Sequence, residues 1–152
     1  MSKAYGLAGL RVGWIATRDA TLFKRLAALK DYTTVCGSAP SEVLSLIALR
    51  AGTILVERTL SIVRDNLACA DGFFARNTES MSWVRPRAGT VGFPRLLAGD
   101  VDAFAARLAE EDGVLILPAS QFGYRGNHFR LGLGRRDMQV GLAKLEARLA
   151  DR

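Results

Sequence analysis

From residue 83 onward the chain switches repeatedly between apolar residues spaced by two and apolar residues spaced by three and four. Most switches fall at a proline, glycine or aspartate. That alternation limits the fold more than any single residue does. Residues 83–85 and 90–93 are candidate strands bounded by Pro86 and Pro94. Residues 101–111 predict a helix capped by Asp100 that buries Val101, Phe104 and Leu108. A fully apolar strand is expected at 114–117, stopped by Pro118, and another at 128–133. Asp137 caps a final helix with Met138, Leu142, Leu145 and Leu149 inward. The expectation is an α/β fold, helices laid against a mainly antiparallel sheet, with no internal repeat.

The first half reads differently. Residues 1–9 are small and flexible, with glycines at Gly6 and Gly9. Residues 11–16 read as a strand, Val12, Trp14 and Ala16 on one face. A short amphipathic helix over 19–29 places Leu22, Phe23, Leu26 and Leu29 in register, and a loop follows over 31–39. Pro40 with Glu42 suits a helix first turn, and the helical pattern over 42–76 breaks near Gly52. Its second part carries Leu60, Val63, Leu67, Ala70 and Phe74 as one buried stripe. The 11–16 strand has no local partner, and a lone strand leaves its backbone groups unsatisfied. Its neighbours are therefore expected in sequence outside these residues.

Composition removes several classes. The longest run without Asp, Glu, Lys or Arg is 113–124, twelve residues, so no membrane span is expected. Arg11 interrupts the first apolar stretch before a secretory signal could form, which makes a cytoplasmic protein the default. Cys36 and Cys69 stand far apart with one histidine, His128, so neither a metal site nor a disulfide is expected, only reduced and mostly buried thiols. The net charge of +6 attracts anions such as phosphorylated cofactors and carboxylates. The arginines are scattered without interleaved aromatics, so no nucleic-acid partner is expected.

The opening Ser2-Lys3-Ala4-Tyr5-Gly6-Leu7-Ala8-Gly9-Leu10-Arg11-Val12-Gly13-Trp14 resembles the lysine motif of the class I/II aminotransferases, the fold-type I pyridoxal-phosphate enzymes. The resemblance continues at Ala88-Gly89-Thr90, at Gly113-Val114 leading to Pro118, and at His128-Phe129-Arg130-Leu131. It covers the whole chain, but only the latter portion of such an enzyme. It implies that residues 1–52 end the large cofactor-binding domain and that 53–152 form the small C-terminal domain with its linking helix. It also implies pyridoxal 5'-phosphate as cofactor, an amino acid and a 2-oxo acid as substrates, and a homodimer in the full-length form.

On that resemblance Lys3 is the catalytic residue, joining the cofactor aldehyde and moving the proton of the substrate α-carbon. Arg11 binds the cofactor phosphate, and Ser2 is a hydroxyl donor beside it. Gly6 and Gly9 let the loop between them fold tightly. Arg130, facing away from Phe129, Leu131 and Leu133 together with His128, grips the substrate α-carboxylate. Ala119 and Gly37 stand where many relatives carry glycine and asparagine, and both changes reshape the pocket. The family's upstream aspartate, stacking aromatic and phosphate-binding turn have no counterpart among these residues. The chain alone is therefore expected to bind cofactor weakly and turn over little.

Plainer readings stand beside these. Taken singly, Lys3 is a solvated terminus, Arg11 a strand-end charge and Arg130 a surface arginine. Tyr5, Tyr124 and His128 read as packing residues, and Arg135 with Arg136 as a solvated turn. Elimination, decarboxylation or cyclisation of an amino acid uses the same cofactor and fold. A non-catalytic dimerising module is a separate class.

Overall fold

The computed structural model describes residues 1–150. The chain divides into two compact units, Met1–Arg58 and Thr59–Arg152, with the division inside a single helix.

In Met1–Arg58, a 3₁₀ turn (Ala8–Leu10) precedes α1 (Ala20–Thr33), α2 (Ala39–Arg50) and the first turns of α3 (Gly52–Arg76). Asp19 starts α1 by accepting from the amides of Thr21 at 2.8 Å and Leu22 at 3.0 Å. Pro40 sits in the first turn of α2, and the helical run breaks at Ala51. The strand expected over 11–16 does not form, and those residues are non-regular and largely exposed. A strand exists only through its ladder partners, and none of the described residues supplies one. The helix from 19 runs four residues beyond its expected end, through Thr33, shortening the loop expected over 31–39. Its apolar face does not close on a core: Leu22, Phe23 and Leu29 are exposed. Cys36 is exposed rather than buried.

Thr59–Arg152 holds the hydrophobic core. Phe73 and Phe74 of α3, Phe104 and Leu108 of α4 (Val101–Asp112), and Leu142 and Leu145 of α5 (Met138–Ala150) converge there. Phe73, Phe104 and Leu145 are almost wholly enclosed, each contributing about 1.5–3 kcal/mol of burial. The α3 stripe begins at Val63, because Leu60 is exposed. Asn66, also buried, ties α3 to the end of a strand by donating to the carbonyls of Leu133 at 2.9 Å and Arg135 at 2.6 Å.

Five short strands form antiparallel pairs: β1 (Met81–Ser82) with β3 (Arg95–Leu96), and β2 (Val91–Gly92) and β4 (Leu117–Pro118) on either side of β5 (Phe129–Gly132). The strand expected at 83–85 lies instead at Met81–Ser82. Of 114–117 only Leu117 enters a ladder, with Pro118 as its second member. Trp83 leaves the strand to lie flat on Phe74, ring centroids 4.5 Å apart at 13°. β3 was not expected: two residues after Pro94 are too few to show a period. β5 is central because Phe129, Leu131 and Leu133 alternate into the core.

Candidate active site

Lys3, Ser2 and Arg11 sit on one wound loop. The Gly6 amide donates to the Lys3 carbonyl at 3.1 Å and the Leu7 amide to that of Met1 at 3.3 Å. Gly6 has φ +66°, which a side chain would resist. The 3₁₀ turn then closes with the Arg11 amide on the Ala8 carbonyl at 3.4 Å, and the Arg11 guanidinium donates to the same carbonyl at 3.2 Å. Arg11 itself adopts φ +54°, uncommon outside glycine, and turns the chain out of the helix. Gly9 does not need its freedom here: it lies inside the turn with open space where a side chain would start. Only the Gly6 half of the expected glycine role is therefore required.

Lys3 and Arg11 are exposed and Ser2 is half-buried. No Asp or Glu occurs before Asp19, so this amine, guanidinium and hydroxyl, with Arg18 beyond, face no competing carboxylate in sequence. Such a donor set fits a phosphorylated aldehyde: the amine for the carbonyl carbon, the cations for the phosphate. Tyr5 packs its ring against Gly52, where an added Cβ would stand 3.5 Å from the phenol oxygen.

Arg130 belongs to Thr59–Arg152. It lies on β5 opposite Leu117 of β4, half-buried between the enclosed Phe129 and Leu131. It lines a cleft of about 630 Å³ whose walls include Leu115, Leu117, Met138 and Lys144. The approach to β5 is fixed by Asn127. Its amide nitrogen donates to Leu96 and Gly99 carbonyls at 2.7 and 3.0 Å, while its oxygen accepts from the first amide of α4, Val101, at 2.9 Å.

His128, two residues before Arg130, is clamped. Phe93 stacks on it at 5.0 Å and 13°, and Tyr124 meets it edge-on at 5.3 Å and 79°. Burial, then the charge of Arg95, holds its imidazole below the ordinary value of 6.5. Arg95 is the neighbour that sequence reasoning missed, because it depends on β3. Arg135 and Arg136 are exposed, as expected of a solvated turn, and Arg135 makes a two-pronged contact with Asp137 at 2.7 and 2.8 Å.

The family model for aminotransferase class I and II matches residues 1–143. Capreomycidine synthase of Streptomyces vinaceus is 33% identical over 98% of this chain and 39% of that protein. Among solved structures, a PLP-dependent aminotransferase from Streptococcus suis superposes with a TM-score of 0.87 at 29% identity, over 99% of this chain and 40% of that one. The PLP-dependent cyclase OrfR gives 0.86 at 32%, over 99% and 42%. The chain belongs to the class I and II aminotransferase family, and it spans about two fifths of the length of these relatives.

Proposed function

We infer that this chain supplies the lysine-bearing part of an enzyme that transfers an amino group between an amino acid and a 2-oxo acid. The observation that carries the reading is the carboxylate-free wound loop that bears Ser2 and Lys3 before its first turn and Arg11 at the end of its second. In it Lys3 holds the cofactor and moves a proton at the substrate α-carbon, Arg11 and Ser2 hold the phosphate, and Arg130 fixes the α-carboxylate. Bound pyridoxal phosphate supplies the electron sink for charge developing at that carbon. Orientation by a bidentate guanidinium matters because the bond to be broken must stand perpendicular to the cofactor ring. The same reading has the enzyme act as a homodimer, supported by the family resemblance, and in the cytoplasm, supported by Arg11 within the first apolar stretch.

These 152 residues by themselves bind cofactor weakly and turn over little, since the resemblance assigns the ring-binding groups to sequence outside them. The test is reduction with borohydride after incubation with pyridoxal phosphate. A phosphopyridoxyl group on Lys3, found by peptide mass and lost in Lys3→Ala, supports the assignment. Labelling spread over other lysines with Lys3 unmodified overturns it.

A second reading, cyclisation of an amino acid, rests on one observation. The PLP-dependent cyclase OrfR is 32% identical to this chain with a TM-score of 0.86, beside 29% and 0.87 for the Streptococcus suis aminotransferase. Analysis of the products formed by a reconstituted enzyme separates the two.

A further inference from the structure

Ser45 of α2 is only 5% exposed, and its hydroxyl has no hydrogen-bond partner. A serine inside a helix can return its hydroxyl to the carbonyl one turn back. Ser45 does not, so its oxygen is enclosed and unpaired, which is less favourable than leaving it in water. Folded proteins keep few such atoms, and each calls for a reason.

The place of Ser45 supplies one. Within Met1–Arg58 only Ser45 and Ala48 are buried, one helical turn apart on one side of α2. Leu44, Leu46, Ile47 and Leu49 around them are exposed. α2 packs against the 3₁₀ turn Ala8–Leu10, the second turn of the loop that carries Lys3 and Arg11. The narrow covered side of α2 is thus its seat for that loop. Tyr5 secures the loop further along, with its ring against Gly52 just after the helix break. The seated turn also has donors to spare: among the described residues the amides of Ala8 and Gly9 meet no acceptor. An unpaired acceptor therefore lies under a turn with two unpaired donors, and that turn ends at Arg11. A small settling of the turn onto α2 would pair them.

We propose that Ser45 is a positioning residue, accepting a hydrogen bond from the Ala8–Gly9 backbone when Lys3 and Arg11 take up a phosphorylated ligand. The proposal rests on the ligand role given to Lys3 and Arg11 above and adds α2 to the machinery that shapes their loop. Ligand uptake then satisfies an atom otherwise unpaired, and that gain adds to the affinity for the phosphate.

Ser45→Ala removes the unpaired oxygen, and Ser45→Cys keeps its shape with a poor acceptor. Without ligand, Ser45→Ala is expected to slow hydrogen exchange in α2, because a buried unsatisfied group is gone. With pyridoxal phosphate and borohydride, both variants are expected to label at Lys3 about fivefold more slowly than the parent, the share of one hydrogen bond. With pyridoxal, which lacks the phosphate, the three chains are expected to label alike. A residue that served stability alone would move exchange and labelling the same way. Unchanged labelling by pyridoxal phosphate, an equal loss with pyridoxal, or slower labelling with faster exchange in α2 overturns the proposal. Inorganic phosphate separates it from the cofactor reading. If Lys3 of the parent takes no label, that reading fails, and Ser45 is judged on the exchange of loop amides 6–11. Phosphate that slows this exchange in the parent but not in Ser45→Ala leaves the positioning role standing. The same response in both chains, or none in either, overturns it.

Discussion

Behind the Trp83 ring there is no room for a side chain at Gly92. A Cβ there would come within 2.5 Å of the indole, and the indole cannot retreat. It is stacked on Phe74, and its Nε1–H donates to Asp71 at 2.8 Å. Burial works against a charged Asp71, but the hydrogen bonds from Trp83 and Arg85 outweigh it and hold the carboxyl below its ordinary range. Gly92→Ala should therefore destabilise the chain by about 1–3 kcal/mol, the usual cost of overpacking. A lowered urea midpoint with an unchanged slope would show it, and the cost should shrink when Trp83 is replaced by Phe as well. At the same scale, the loop that joins Lys3 and Arg11 was legible because it is local, one motif with a turn at Gly6. Arg95 was not legible, since its place beside His128 comes from a strand pairing that no sequence spacing displays.

β5 is the central strand of its sheet and carries Arg130. Its inward residues alternate with its outward ones, and that period was readable in the sequence at 128–133. So were the helices starting after Asp100 and Asp137; Asp100 caps α4 by accepting from the Ala103 amide, whereas the Asp137 carboxylate is taken up by Arg135. The strands around β5 were shifted or missed because two-residue ladders are fixed by their partners rather than by their own pattern. The strand expected at 11–16 failed for the same reason in reverse: its residues have the period, but not the neighbours. The residue just before β5 carries a pH dependence. His128 has a folded-state pKa below its unfolded value near 6.5, so the unfolded chain binds more protons in that window. Stability is thus expected to fall as pH drops from about 6.5 through the lower folded value. His128→Asn should flatten the profile relative to the parent, a difference readable from denaturation curves at pH 5 to pH 7.5. An unchanged difference across that range would contradict the burial of the ring.

The two units differ in how they are held. Thr59–Arg152 contains nearly all of the core, and Arg148 clips α5 to the end of α4 through Glu111 and Asp112 at 2.6 and 2.8 Å. Met1–Arg58 buries only Ser45 and Ala48, while thirteen of the twenty-one exposed large hydrophobics lie within it. Burial on that scale cannot offset the entropy of ordering the segment, so its helices are expected to open locally well before the core does. Hydrogen exchange should show α1 and α2 losing protection early and the inner residues of α4 and β5 late; uniform protection would refute the contrast. An apolar dye should bind the full chain and lose most of its signal when residues 1–58 are removed. The chain has two tryptophans, and they fall one to each unit: Trp14 stands 64% exposed, whereas Trp83 is half-buried with its ring stacked on Phe74. The molecule thus carries a separate intrinsic fluorophore on either side of the division. Iodide should quench the red-shifted emission of one while sparing the other, so a single cuvette can follow both halves as they melt.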